Sequence, residues 1–411
     1  MNEVEVWLDD PRLADRMLIG HLFRSLTRSG EAVRFEYSDD WLRHPQSFEI
    51  DPEARLNIGP HYASAGAVRL LGAFQDSSPD RWGKLLMDRR EAIEAREQGR
   101  RVRALRTLDY LLGVDDAARM GALRLADPAT HAFVANHPQS APPMTALREL
   151  EAAADKVERG QGPRVDKWVR QLVAPGTTLG GARPKASFTD TRGDLWLAKF
   201  PSAEDRHDVG LWELLAYDLS AAARIEMPEA KVLALSRRGH TYAVKRFDRA
   251  GGHRWMYVSA ATLVGIDADQ AGYLDLVQAI EAHGARGRVA ADLEQLFRRG
   301  VFNVLIGNRD DHLRNHGFLR EKTGWRLSPA FDVNPNPDKD THVLALDELD
   351  VTPDTRLLLR NRELFRLGAE RAAQIVEEVR AAVRPWEARA KALRIKRAEI
   401  ATLGAVIDPE R

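Results

Sequence analysis

Residues 301–319, VFNVLIGNRDDHLRNHGFL, constrain this chain most. A mostly apolar run ending in glycine leads straight into twelve residues that hold two aspartates, two histidines, two arginines and two asparagines. The first part suits a core helix and the second suits a loop of convergent polar chemistry. Such a loop needs a sizeable core to hold it. The 411 residues, 44% hydrophobic and 30% charged, supply one and suggest two or three units of ordinary domain size. With 61 basic and 61 acidic side chains, bulk charge predicts neither a nucleic-acid binder nor an acid-loving chain. The absence of cysteine excludes disulfides, thiol catalysis and thiolate metal sites. The start, MNEVEVWLDD, is acidic and lacks an apolar stretch, so no signal peptide is expected. No run approaches the roughly 18 apolar residues of a membrane span, and the cytoplasm is the expected compartment.

Residues 1 to about 75 carry strand-like pieces, EVEVWL, AVRFEYS, SFEI and AVRLLGAF, separated by loops. From Pro79 to Gly113 the spacing predicts helix. Eight basic and four acidic residues fall between Lys84 and Arg106, a solvated face or an anion-facing patch. Residues 126–144 read as a connector. The helical piece TALRELEAAADKVER follows, then the glycine-rich PGTTLGGARPKASF and the strand LWLAKF. DVGLWELLAYDLSAAARI predicts a helix, and AKVLALS with TYAVKRF two strands turning at RRGH. The chain is then mainly helical through ADLEQLFRRGVFNVLIG. HGFLR and WRLS flank EKTG as a β-hairpin, and the last 55 residues read as helical.

Within the opening segment, Arg309 to Asn315 fits R-D-x-x-x-x-N, the catalytic-loop pattern of protein kinases, with Asn308 where their histidine stands. The spacing has a chemical reason. An aspartate must accept or orient the proton of an attacking hydroxyl, and an asparagine five residues on must turn back to hold a metal against phosphates. The hairpin then delivers Asp332, 17 residues beyond Asn315. Asn315 and Asp332 form a hard oxygen pair suited to magnesium. The bland alternative is that Asp310 and Asp311 cap a helix. His312 and His316, four apart, could suggest zinc, but Gly317 argues against a continuing helix, and His312 reads better as a brace for the loop. The glycines of TTLGGARPKASF could let backbone N–H groups approach phosphate, or could form a plain turn. Lys199 lies in an apolar strand, where an ammonium needs a partner. Phosphate or Glu213 would serve, unless the lysine snorkels to water from an edge. Lys245 is a rival lysine, placed at an interlobe hinge. The basic stretch 389–397 reads as a solvated amphipathic helix or a nucleic-acid contact.

SPAFDVNP, GNRDDHLRNHGF, LGGARPKASF, LAKFP and VKRFDR, in that relative arrangement, resemble the HipA-like serine/threonine kinases, the toxins of type II toxin–antitoxin modules. FQDSSPDRWGKLLMDRR and GVDDAARMGALRL extend the likeness over roughly residues 5–400. The resemblance implies an α/β, two-lobed protein-kinase-like fold. A β-rich N-terminal subdomain would span 1–140, a nucleotide-binding lobe 141–255 and a mainly helical catalytic lobe 256–411. It implies ATP and Mg²⁺ as cofactors, Asp310 as catalytic base, and Asn315 and Asp332 as metal ligands. Lys199 would hold the phosphates with Glu213 as partner. Gly180, Gly181, Ala182 and Lys185 would form the phosphate loop, the backbone from Lys245 to Phe247 would meet adenine, and His312 would join the nucleotide site. Thr177 and Thr178 stand where family members carry a serine whose autophosphorylation silences the kinase. Phosphate there would repel the nucleotide. Implied partners are a small helix-turn-helix antitoxin, operator DNA through it, and a protein substrate such as an aminoacyl-tRNA synthetase. A kinase-fold scaffold acting as corepressor, or a small-molecule or lipid kinase, are the alternatives.

Overall fold

The computed structural model describes residues 1–28, 30–64, 70–136, 141–160, 165–173, 181–265 and 271–411. They divide into two compact units. The first comprises Met1–Glu204, Leu235–Arg237 and Asp248–Val258, and the second Asp205–Ala234, Arg238–Phe247 and Ser259–Arg411. No described helix is long and apolar enough to cross a membrane.

The first unit is built on a four-stranded antiparallel sheet. Strand Glu3–Leu8 pairs with Met17–Thr27 on one side and Leu123–Ala126 on the other, and Gly30–Tyr37 extends the sheet beyond Met17–Thr27. Val4, Val6 and Leu8 alternate into the core and are fully buried, as the two-residue period of a strand requires. Phe35 packs on Phe74 with ring centres 5.4 Å apart. Later in the unit, Lys185–Thr189 and Leu195–Lys199 form an antiparallel pair with Lys185 opposite Lys199.

Several expectations fail here for physical reasons. Ser47–Ile50 is irregular. Phe48 and Ile50 are buried anchors, and the Tyr37 hydroxyl accepts from Ile50 N at 3.1 Å while donating to the Ala54 carbonyl at 2.8 Å. Alternating burial without a ladder imitates a strand in the sequence. The end of the expected strand 67–74 is a short helix, Gly72–Gln75, and its first three residues lie outside the described set. The helical stretch after Pro79 breaks into Arg81–Glu97 and Thr107–Gly113. Gly99, at φ +63°, ends the first. Glu91 then gathers the basic segment, accepting from Arg100 Nη2 at 3.1 Å and Arg103 N at 2.9 Å. Its bond from Arg100 above all holds the Glu91 carboxyl down at about 2. Strands Met17–Thr27 and Leu123–Ala126 were not expected.

The second unit begins with helix Val209–Ala222 and the antiparallel pair Ala230–Leu233 and Thr241–Lys245. Its core helix is Val289–Ile306, whose last nine residues are all buried. Gly307 ends it at φ +70°, where an added Cβ would lie 2.7 Å from the Val406 carbonyl oxygen. Only glycine combines that backbone with that contact. The chain then enters the polar loop and the hairpin Gly317–Glu321/Gly324–Leu327. Helices Thr355–Arg360, Ala369–Val383, Trp386–Ala392 and Arg397–Leu403 complete the unit. Part of the basic stretch 389–397 is committed within it, with Arg389 Nε 2.8 Å from Asp218 and Lys391 2.6 Å from Glu387.

Candidate active site

The loop after Gly307 is held from below by a buried polar network. The Asp311 carboxylate accepts from Tyr273 Oη at 2.5 Å and from Asn303 Nδ2 at 2.9 Å. His316 Nε2 lies 2.9 Å from its other oxygen. A carboxylate only accepts, so the ring carries its proton on Nε2. Asn308 Nδ2 donates to Asn303 Oδ1 at 3.1 Å and joins the helix end to the same network. Burial pushes the Asp311 carboxyl up, but His316 and the Tyr273 hydroxyl overcome this and hold it below its ordinary value. A satisfied buried network of this kind rigidifies its surroundings.

Asp310, next in the chain, points the other way. Its side chain is 53% exposed and pairs with the ammonium of Lys339. Asn315 lies on the single 3₁₀ turn Leu313–Asn315, and its Nδ2 donates to the Asp310 carbonyl at 3.2 Å. That bond turns the amide oxygen away from the same carbonyl. His312 is half-buried, and its Nδ1 is buried with no hydrogen-bond partner among the described residues.

Asp332 is exposed and adopts φ +58°, a left-handed conformation that few residues other than glycine, asparagine and aspartate adopt. Strain of this sort persists where neighbours enforce it. Ala330 N donates to the Glu226 carbonyl at 2.8 Å, and the Phe331 ring stacks on Phe247 at 5.5 Å. One small cavity is lined by Asn315, Asp311 and His316 from the loop and by Ala330, Phe331 and Val333 around Asp332. The second unit thus brings the loop and the Asp332 segment together. Asn315 and Asp332 both offer oxygen, the donor type that magnesium takes.

Glu213, buried in helix Val209–Ala222, and the half-buried Lys245 and Phe247 belong to the same unit. Gly181, Ala182, Lys185 and Lys199 belong to the first. Gly181 and Ala182 are exposed, with Gly181 at φ +100°, and Lys199 is half-buried at a strand end. Lys185 is 1% exposed. Its Nζ donates to Asp80 Oδ2 at 2.5 Å and to the Gly181 carbonyl at 3.3 Å, and Trp82 Nε1 donates to its carbonyl at 3.2 Å. Thr177, Thr178 and Gly180 lie outside the described residues.

Sequence reasoning missed Asp80, Asp311, Lys339 and His342. Both ring nitrogens of His342 are buried with no hydrogen-bond partner among the described residues, and burial pulls its pKa down to about 4, against a weaker opposing pull from Asp311. Between pH 6.5 and 4 the unfolded chain therefore binds a proton that the folded chain refuses. Stability contributed by the neutral ring is present above pH 6.5 and lost as pH falls through that window, up to about 3 kcal/mol. Acid unfolding followed by denaturant titration is expected to show this slope in the wild type. His342→Leu is expected to flatten it; an unchanged slope would contradict the assignment.

Comparison with known proteins shows the family and the fold. The model of the HipA-like C-terminal domain matches residues 177–386, just over half of the chain. A protein of Sinorhizobium fredii called "Putative kinase Y4dM" is 26% identical over 234 residues, which cover 49% of this chain and 54% of that one. The chain thus spans about half the length of this curated relative. HipA of Shewanella oneidensis MR-1, solved with HipB and its operator DNA, superposes with a TM-score of 0.63 at 16% identity over 98% of this chain and 94% of its own. The Helicobacter pylori kinase CtkA gives a TM-score of 0.34 at 15% identity over 50% of this chain and 90% of its own. The fold is the mixed α/β fold of HipA, with a β-rich N-terminal part and a helical C-terminal part, and the chain belongs to the HipA-like family.

Proposed function

We propose that this chain transfers the γ-phosphoryl group of ATP, with Mg²⁺, to a serine or threonine hydroxyl of a protein. The observation that carries the reading is the divergence of two adjacent aspartates. Asp311 is buried and anchors the loop, while Asp310 is presented to solvent on that anchored loop. A general base needs both access and fixed position. Asp310 would take the acceptor's proton. Asn315 and Asp332 would hold Mg²⁺, which when bound neutralises charge developing on the phosphates. Lys199, with the backbone N–H groups of the loop from Gly180 to Lys185, would hold the phosphates, while the Lys185 ammonium stays with Asp80. Glu213 would support Lys199, and the Lys245–Phe247 backbone with His312 would complete nucleotide binding. Thr177 or Thr178 would be the site of a self-silencing phosphorylation.

The structure of the Shewanella HipA, assembled with HipB and operator DNA, supports a toxin role with a DNA-binding antitoxin as partner. A translation-related protein such as an aminoacyl-tRNA synthetase is the proposed substrate class. The domain division at about residues 140 and 255 and a cytoplasmic site of action belong to the same proposal.

Isothermal titration with ATP tests the nucleotide site. Binding is expected to be at least tenfold tighter with Mg²⁺ than with a chelator present, and Asp332→Ala is expected to erase that difference. Absence of binding under both conditions would contradict the reading.

A further inference from the structure

We infer that Lys339 is a second catalytic residue, a cation that contacts the transferring phosphoryl group; the inference rests on the kinase reading above. Lys339 lies seven residues beyond Asp332 in the loop NPNPDKDTH. Three bonds tie this segment to the catalytic loop. Asn336 N donates to the Gly307 carbonyl at 2.8 Å and Leu344 N to the Asp311 carbonyl at 3.2 Å. Between them, Arg309 Nη1 donates to the Lys339 carbonyl. Arg309 is only 7% exposed, so the residue beside the candidate base commits a nearly buried guanidinium to fixing the Lys339 main chain. Asp338 N, donating to Asn336 Oδ1 at 2.9 Å, tightens the turn.

The side chain so placed reaches Asp310 Oδ1 and stays 40% exposed. An exposed ion pair contributes little to stability, so an anchored main chain beneath it points to another use. In the transfer step the acceptor oxygen forms a bond to the γ-phosphorus. The bond from that phosphorus to the β–γ bridging oxygen breaks, and its electron pair leaves on ADP. The acceptor's proton passes to the Asp310 carboxylate. Negative charge spreads over the oxygens of the moving group, beside a carboxylate that is itself negative. A flexible ammonium already at Asp310 reaches those oxygens without losing its proton, and its electrostatic effect is largest in the transition state.

Single-turnover assays with γ-labelled ATP and Mg²⁺, counting label on protein and as free phosphate, test this. Lys339→Met is expected to slow turnover about 100-fold, the size of losing one fixed donor. Its ATP·Mg²⁺ dissociation constant should stay within twofold of wild type. Lys339→Arg should restore at least tenfold of the lost rate. A Lys339→Met rate equal to or above wild type would overturn the inference and make the pair a latch on Asp310. Equal loss of rate and nucleotide binding would overturn it as well. A wild-type chain that binds ATP·Mg²⁺ yet transfers no label to protein or water removes the kinase reading itself, and the role of Lys339 with it.

Discussion

Asp80→Ala is expected to destabilise the first unit by about 4 kcal/mol or more, enough to depopulate its fold under mild denaturant. The aspartate does two things. It pairs with the buried Lys185 ammonium at 2.5 Å, and it caps helix Arg81–Glu97 by accepting from Gly83 N at 2.7 Å. Removing one member of a buried pair leaves a charge without its counter-ion and costs about 3–5 kcal/mol. Losing an N-cap adds about 1 kcal/mol. Against a total stability of roughly 5–15 kcal/mol, either figure is large. Asp80→Asn separates the two contributions, because asparagine still caps but no longer neutralises. Lys185→Met added to it removes the stranded ammonium and is expected to recover much of the loss. Urea unfolding of the three variants checks this. A cost below about 1 kcal/mol for Asp80→Ala would show that the pair does not hold the unit together.

Asp310→Asn is expected to lower phosphoryl transfer by about 1,000-fold or more, combining loss of the base with loss of the charge that places Lys339. Nucleotide affinity and folding stability are expected to stay close to wild type, since the side chain is half-exposed and lies outside the buried network. Asp311→Ala should do the reverse of the stability result. It leaves the Tyr273 hydroxyl, the Asn303 amide and His316 without their shared acceptor, which is expected to cost about 3 kcal/mol or more. Denaturant titration alongside turnover distinguishes the two neighbours. Similar stability losses in both variants would contradict the division of roles.

The core helix, the hairpin and the order of the polar segments were legible because their signals are local. VFNVLIG is mostly apolar, Gly307 ends it, and EKTG lies between two short apolar-polar runs. The loop's pattern placed Asp310 and Asn315 in one segment, and one cavity lies between that segment and the residues around Asp332. What could not be read is set by long-range contacts. Asp310 and Asp311 are identical letters, and Tyr273, Asn303 and His316, 38, 8 and 5 residues away, make the second one structural. Lys185 reads as part of a glycine-rich loop, and its carboxylate partner stands 105 residues earlier. Lys339 sits in an aperiodic Asn- and Pro-rich stretch whose only local cue is a lysine shortly after FDV. Ser47–Ile50 failed for the opposite reason, since two buried anchors at strand spacing are not a strand unless a neighbour pairs with them.

The measurement that bears most directly on the central claim is phosphosite mass spectrometry of wild type and Asp310→Asn. Each is incubated with ATP, Mg²⁺ and a mixture of protein acceptors. Phosphate on serine or threonine, of the chain itself or of an acceptor, is expected with the wild type and not with the variant. Equal phosphorylation by the two, or none by a wild type that binds ATP·Mg²⁺, would contradict the account.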